Sequence, residues 1–223
     1  MAKALDLEEQ EQLDQIKHFW KTWGNLISGV LIVVLGGFTA WNGYQYWQRD
    51  QASKAAVLFD EVERAVTAND LARVERSLAD MKDKFGGTHY AHQAALLAAK
   101  TLQTKDKADA ARAALKWVVD GAPDPAYRDI ARLRLSALML DSGAHDEALA
   151  QLSAPFAPAM TGLAADLRGD VWHAKGQKAD ALAAYTSAWE KLADSPDYRR
   201  LVQAKLNALG VDPNAASSSG SPQ

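Results

Sequence analysis

The chain has 223 residues, 48% of them hydrophobic and 24% charged, with a formal net charge of -3 and a pI near 6.0. A near-neutral balance gives no case for nucleic-acid binding, which needs a basic stripe, and the absence of cysteine excludes disulfides, thiolate catalysis and zinc-thiolate sites. With an apolar N-terminal segment set aside, enough chain remains for one hydrophobic core.

Residues 1–21 form a polar, mainly acidic lead. Asp6, Glu8, Glu9, Glu11 and Asp14 precede Ile16 and Phe19, a pattern that suits a short amphipathic helix running into a membrane. Thr22 to Gln48 then carries no charge, between Lys21 on one side and Arg49 on the other. At ~1.5 Å per helical residue, about 20 residues cross the ~30 Å hydrocarbon core of a bilayer. Trp20 and Trp23 mark one end of the segment, and Trp41, Tyr44, Tyr46 and Trp47 mark the other. Such rings favour the headgroup zone, where an apolar body meets a polar tip. Residues 22–48 are therefore expected to be a transmembrane signal anchor in contact with the lipid bilayer. Cleavage after Ala40 would place Phe38 where a small residue is needed, so the anchor is expected to stay attached.

Lys17 and Lys21 before the span balance Arg49 and Lys54 after it, so charge bias does not decide orientation. The long C-terminal part behind an N-terminal anchor points to a cytoplasmic lead and a translocated remainder. Gly29, Gly36 and Gly43 recur at seven-residue spacing, and Ala40 lies on the same face. Small residues let two helix backbones approach in lipid, so this face is expected to pack on another membrane helix.

From 49 to 210 the periodicity is helical. Val57, Leu58, Val62 and Val66 follow it, and so do Leu71, Val74, Leu78 and Met81. Further helices are predicted near 90–103, 107–119, 126–141, 145–153, 160–174, 178–193 and 197–209. The breaks fall at Gly86-Gly87, Gly121 to Pro125, Gly143, Pro155 to Pro158, Gly176 and Pro196. No strand is expected, and residues 211–223, rich in serine, read as a disordered tail. A shift of 33 residues aligns Gly143 with Gly176, Ala148-Leu149 with Ala181-Leu182, and Leu152 with Tyr185. The second copy, with Gly169, Trp172, Ala181, Tyr185 and Ala188, resembles the tetratricopeptide repeat, in which small residues allow two helices to pack closely and aromatics fill the gaps. Ser136, Met139, Ala148, Leu152 and Pro155 hold the same places in the first copy, and a weaker one runs through Ala99, Leu102, Ala111 and Leu115. For 52–120 the repeat reading rests mostly on helix count. The expected fold is all-α: a single N-terminal transmembrane helix followed by a tetratricopeptide-like helical solenoid.

The run from Glu11 to Gly24, the aromatic exit at Tyr46-Trp47, Gln51-Ala52-Ser53 opening a helix, and the degenerate repeats resemble the YfgM-type ancillary subunit of the bacterial SecYEG translocon. The resemblance covers 5–210 and is sharpest over 8–60. It implies an inner-membrane protein with a cytoplasmic lead and a periplasmic repeat domain. It also implies association with the translocon and with a PpiD-type membrane-anchored periplasmic chaperone, in the service of newly translocated, unfolded clients.

No enzyme is expected. There is no nucleophile elbow, phosphate-cradling glycine loop or zincin motif. His89 and His92 share a helical spacing but lack a third metal ligand nearby, and no cofactor is expected. Asp166 and Asp170 read as a solvated acidic pair, and Trp172, Tyr185 and Trp189 as core. A solenoid of helix pairs presents its first helices on a concave surface. By the repeat register that surface includes Ile130, Leu133, Ala137, Leu140, Leu163, Asp166, Asp170 and His173, an apolar strip with an acidic end. Two other readings remain open at this point. One is an assembly factor for another envelope complex, such as cytochrome c maturation; the other is a purely structural subunit.

Overall fold

A computed structural model describes residues 7–214, with side chains from Glu11 onward. Nine α-helices lie within them: α1 (Leu7–Thr67), α2 (Leu71–Phe85), α3 (His89–Gln103), α4 (Ala108–Gly121), α5 (Pro125–Asp141), α6 (His145–Ser153), α7 (Thr161–Ala174), α8 (Lys178–Lys191) and α9 (Pro196–Ala208). A 3-10 turn, Pro158–Met160, precedes α7, and no strand occurs among the described residues. The chain divides after Gln51 into two compact units. Most of α1 belongs to the first and its last turns to the second.

In the first unit the apolar residues of α1 stand exposed, from Leu26 through Val30–Leu35 to Phe38. The polar groups among them turn back onto their own helix. Thr39 Oγ1 donates to the Leu35 carbonyl at 2.5 Å and Asn42 Nδ2 to the Phe38 carbonyl at 2.9 Å. A helix that satisfies its own polar groups and exposes aliphatic side chains is built for lipid.

The second unit is a row of antiparallel helix pairs. The end of α1 pairs with α2, α3 with α4, α5 with α6 and α7 with α8, while α9 follows as an unpaired fifth first-helix. Successive helices pack on each other from α2 to α9, and α5 also touches α3 and α7, so the first helices of neighbouring pairs lie side by side. Each first helix ends the same way. Asn69, Asp106, Gly143, Gly176 and Gly210 all adopt positive φ, between 54° and 89°. At each one the amide donates to a carbonyl three residues back, and the next amide to a carbonyl five back, as in Gly143 to Leu140 and Ala144 to Met139. This is the Schellman closure, which satisfies the last carbonyls of a helix and needs a residue tolerant of the left-handed region. Asp70, Thr88 and Asp124 cap α2, α3 and α5 with their side chains. Pro125 and Pro196, expected as breaks, sit in the first turns of α5 and α9, where the missing N–H costs nothing.

The turns recur 37, 37, 33 and 34 residues apart and reveal a repeat that letters alone show only in part. Ala99, Leu102, Ala111 and Leu115 correspond to Ser136, Met139, Ala148 and Leu152, and one unit earlier to Val62, Ala65, Val74 and Leu78. All twelve are buried. The first pair, expected mostly from helix count, is thus a repeat unit. In the last pair Gly169 lies against Tyr185 so closely that a Cβ would meet ring carbons at 2.4 Å.

Two apolar clusters result. The larger runs from the end of α1 to α7 and buries Met81, Leu102, Leu115, Leu135 and Leu152 completely. The smaller joins α7, α8 and α9 around Tyr185, Leu192, Val202 and Leu206. Residues 211–214 form a short turn; the remainder of the expected tail, 215–223, lies outside the described residues, as do residues 1–6 of the lead.

Candidate partner surfaces

Along α1, Trp20 and Trp41 stand 21 residues apart, about 32 Å of helix, close to the ~30 Å hydrocarbon thickness. Trp20, Trp23, Trp41, Tyr44, Tyr46 and Trp47 are all exposed, with Tyr44 and Trp47 stacked at 6.0 Å. Helix α1 contains the one segment among the described residues long and apolar enough to cross a membrane. Gly29, Gly36 and Gly43 face open space, since a Cβ on any of them would meet nothing within 4 Å.

The strip expected on the concave side resolves into different environments. Ile130, Leu133, Ala137 and Leu140 share one face of α5 and are half-buried, with Ile130, Leu133 and Leu140 packed on the larger cluster. Leu163 on α7 is half-buried against the smaller cluster, and His173 is exposed in the last turn. The strip therefore offers only the edges of its aliphatic side chains. Arg134 reaches across it from α5 to the Leu96 carbonyl of α3 at 3.0 Å. Beneath it, buried Asp129 accepts a bond from the Ala157 amide at 2.8 Å, and Arg132 donates to the Pro155 carbonyl at 3.0 Å. Those bonds pin the loop between α6 and α7.

The acidic end is not open. Asp166 is only 2% exposed, because α9 covers it. Lys205 Nζ lies 2.8 Å from Asp166 Oδ1 and 2.7 Å from Asp170 Oδ1. Tyr198 Oη donates to Asp166 at 3.0 Å and Tyr185 Oη to Asp170 at 2.8 Å. Burial pushes the Asp166 carboxyl above the ordinary carboxylate range, against the pull of Lys205. Burial and the neighbouring carboxylates likewise raise both tyrosine hydroxyls well above their usual range. A helix-borne pair expected to be solvated thus belongs to an ionic cluster in which Asp166 is buried and Asp170 partly so. The signal for it was a lysine on the apolar side of α9, close to Val202 and Leu206, where a charge needs a buried partner. Trp172 and Trp189 are half-buried and packed on the smaller cluster, with Lys175 at 5.1 Å and Arg199 at 3.8 Å over their rings.

His92 is fully buried, and neither ring nitrogen has a hydrogen-bond partner among the described residues. Its ring stacks on Trp117 at 5.0 Å, Lys82 lies 5.1 Å from the centre of that indole, and Tyr127 stands 6.3 Å from the imidazole. Burial depresses the His92 pKa below its ordinary value. Among the described residues no three His, Asp or Glu side chains are grouped to hold a metal, and His89 faces Tyr127 instead.

A family model described as a tetratricopeptide repeat-like domain matches residues 17–211, span included. The ancillary SecYEG translocon subunit of Neisseria gonorrhoeae is 33% identical over 92% of this chain and 99% of its own length. The chain belongs to this family. Members similar to it include the ancillary SecYEG translocon subunits of Haemophilus influenzae, 29% identical over 92% of this chain and all of its own, and of Escherichia coli, 25% identical over 91% and 97%. No solved structure matches the chain. The family match covers both the anchor and the helix pairs, so the two features described above belong to one architecture.

Proposed function

We propose that the protein is a single-span inner-membrane accessory of the SecYEG translocon that acts by binding alone. Its lead, 1–21, lies in the cytoplasm, 22–48 cross the membrane, and 49–210 stand in the periplasm. There they hold newly translocated segments or scaffold a PpiD-type membrane-anchored chaperone. The observation that carries this reading is the end-to-end match to relatives named as ancillary SecYEG translocon subunits.

The chemistry of the two surfaces fits. The half-buried faces of Ile130, Leu133, Ala137 and Leu140 suit the side chains of an extended segment without demanding one sequence. Such a contact is weak, as partial burial adds little per side chain and ordering the segment opposes it. Weak, sequence-tolerant contact suits clients that must leave again. Gly29, Gly36, Ala40 and Gly43 supply the close approach needed against a partner's membrane helix. The relatives' names lend no support to the cytochrome c assembly reading.

The test is isolation of the intact protein from cross-linked cells in mild detergent, with partners identified by mass spectrometry. Translocon subunits together with a periplasmic chaperone are expected. Recovery of an unrelated membrane complex in their place overturns the proposal. Gly36→Leu is expected to weaken that assembly while insertion continues, and an unchanged complex size rejects the glycine face as a contact.

A further inference from the structure

The span and the repeats leave one patterned surface unused, at the start of α1. Leu13, Ile16 and Trp20 follow helical spacing along one face and are 42%, 64% and 59% exposed. Glu11 lies opposite, Asp14 and Lys21 lie to one side, and Lys17 flanks the apolar face one turn from Leu13, its Nζ paired with Asp14 Oδ1 at 3.3 Å. An amphipathic face of this kind seeks an apolar cover.

Two covers are available, a bilayer surface and another protein. Helix α1 runs without a break from Leu7 into the span, so the lead does not turn to lie flat on the headgroups. At ~1.5 Å per residue, Ile16 stands roughly 9 Å and Leu13 roughly 13 Å beyond Thr22 along the axis, out of reach of the hydrocarbon. Charge points the same way. Before Lys17 the sequence carries five carboxylates, Asp6, Glu8, Glu9, Glu11 and Asp14, against the single Lys3. Anionic lipid repels such a segment and attracts polybasic ones. The cytoplasmic loops of integral membrane proteins, by contrast, are enriched in Lys and Arg.

We propose that Glu11–Trp20 of α1 is a docking surface for a basic cytoplasmic loop of an integral-membrane partner, with Leu13 and Ile16 seated in an apolar groove, Asp14 at its edge toward the loop's Lys and Arg side chains, and the acidic lead supplying the wider attraction. The proposal rests on the cytoplasmic lead and the translocon association given above. It assigns part of the recognition to the cytoplasmic side, away from the glycine face.

The test uses the full-length protein in its native membranes, with a photoreactive residue at position 13 or 16 and a control at Gln15 on the opposite face. Cross-links from 13 and 16 to a Lys- and Arg-rich cytoplasmic segment of a membrane protein, absent from 15, are expected. Adducts with lipid alone, or equal labelling from all three sites, overturn the proposal. In parallel, Ile16→Asp is expected to lower recovery of the partner roughly tenfold, the factor for one large aliphatic side chain removed from a buried contact. If the wild-type chain recovers no translocon, the functional reading itself fails. If the wild type recovers it and Ile16→Asp recovers as much, only the docking surface falls. Should Ile16→Asp fail to insert, the cross-links at the other positions decide alone.

Discussion

The helix pairs up to α6 and the group α7 to α9 belong to one unit but are held in different ways. In the former, Met81, Leu102, Leu115, Leu135 and Leu152 fill the space between helices, and Ala at the close-approach positions brings the backbones together. In the latter, large aliphatic side chains are fewer, and Asp166, Asp170, Lys205, Tyr185 and Tyr198 form a polar cluster across three helices. Helix α7 serves both, with Ala164 and Val171 toward the larger cluster and Ala165 toward the smaller. Apolar packing degrades gradually when trimmed, whereas an ion cluster fails when one member leaves, because the others remain buried without compensation.

Removing Lys205 should separate the two regions most sharply. Lys205→Ala is expected to cost about 3 kcal/mol, since it strands Asp166. Hydrogen exchange should rise first in α7 to α9 and leave α3 to α5 protected. The double variant Asp166→Leu, Lys205→Met should recover most of that loss, and equal instability of single and double variants would deny the cluster its role. Gly169→Ala comes next. The new methyl must displace a tyrosine ring already fixed by its bond to Asp170, an overpacking expected to cost about 2 kcal/mol. A variant as stable as wild type in a denaturant titration would mean that α7 and α8 separate without strain.

Proton linkage divides the regions in opposite directions. The raised tyrosine pKa values mean that the folded state holds both protons more tightly than the unfolded chain does. That stability is full below the unfolded tyrosine value of about 10 and is lost as pH climbs past it, so α9 should open first in alkali. His92 behaves the other way. Its depressed pKa means the folded state resists the proton, so stability is full above about 6.5 and declines as pH falls further. His92→Phe should remove this acid sensitivity and raise stability at low pH by about 1 kcal/mol, the smallest of these effects. Exchange followed against pH in each region checks both, and a common pH profile would show that the two clusters do not act separately.

The membrane helix was legible because lipid demands a long uncharged run with aromatic ends, a signal carried wholly by composition. Helix boundaries were legible at Gly143 and Gly176, where the left-handed turn residue is glycine. The same turns at Asn69 and Asp106 went unread, although Asn and Asp are the residues most tolerant of that conformation after glycine. The strip on α5 could be placed on one face from its spacing, but spacing does not say how deep a side chain sits. That depth is set by neighbours distant in sequence. Asp166 shows the limit, because its partner Lys205 lies 39 residues away on another helix. Trp172 and Trp189 read as core from the size of indole, and both do pack on the smaller cluster, but the cation over each ring, Lys175 and Arg199, is not visible from spacing.

The five left-handed turns also make the domain divisible. Cutting after Asp106 and resuming at Ala144 would join two chain ends that occupy equivalent places in equivalent closures, and would excise one complete cassette. The new neighbours, α3 and α6, would meet through Ala99 and Leu102 against Ala148 and Leu152, which repeat the Ala111 and Leu115 that α3 met before and replace the Ser136 and Met139 that α6 met by side chains of similar size. In an array bound by nearest-neighbour contacts, such a cassette can be removed, duplicated or exchanged without redesigning the rest. The length of the helix array is thereby an adjustable dimension, set by how many cassettes the gene carries.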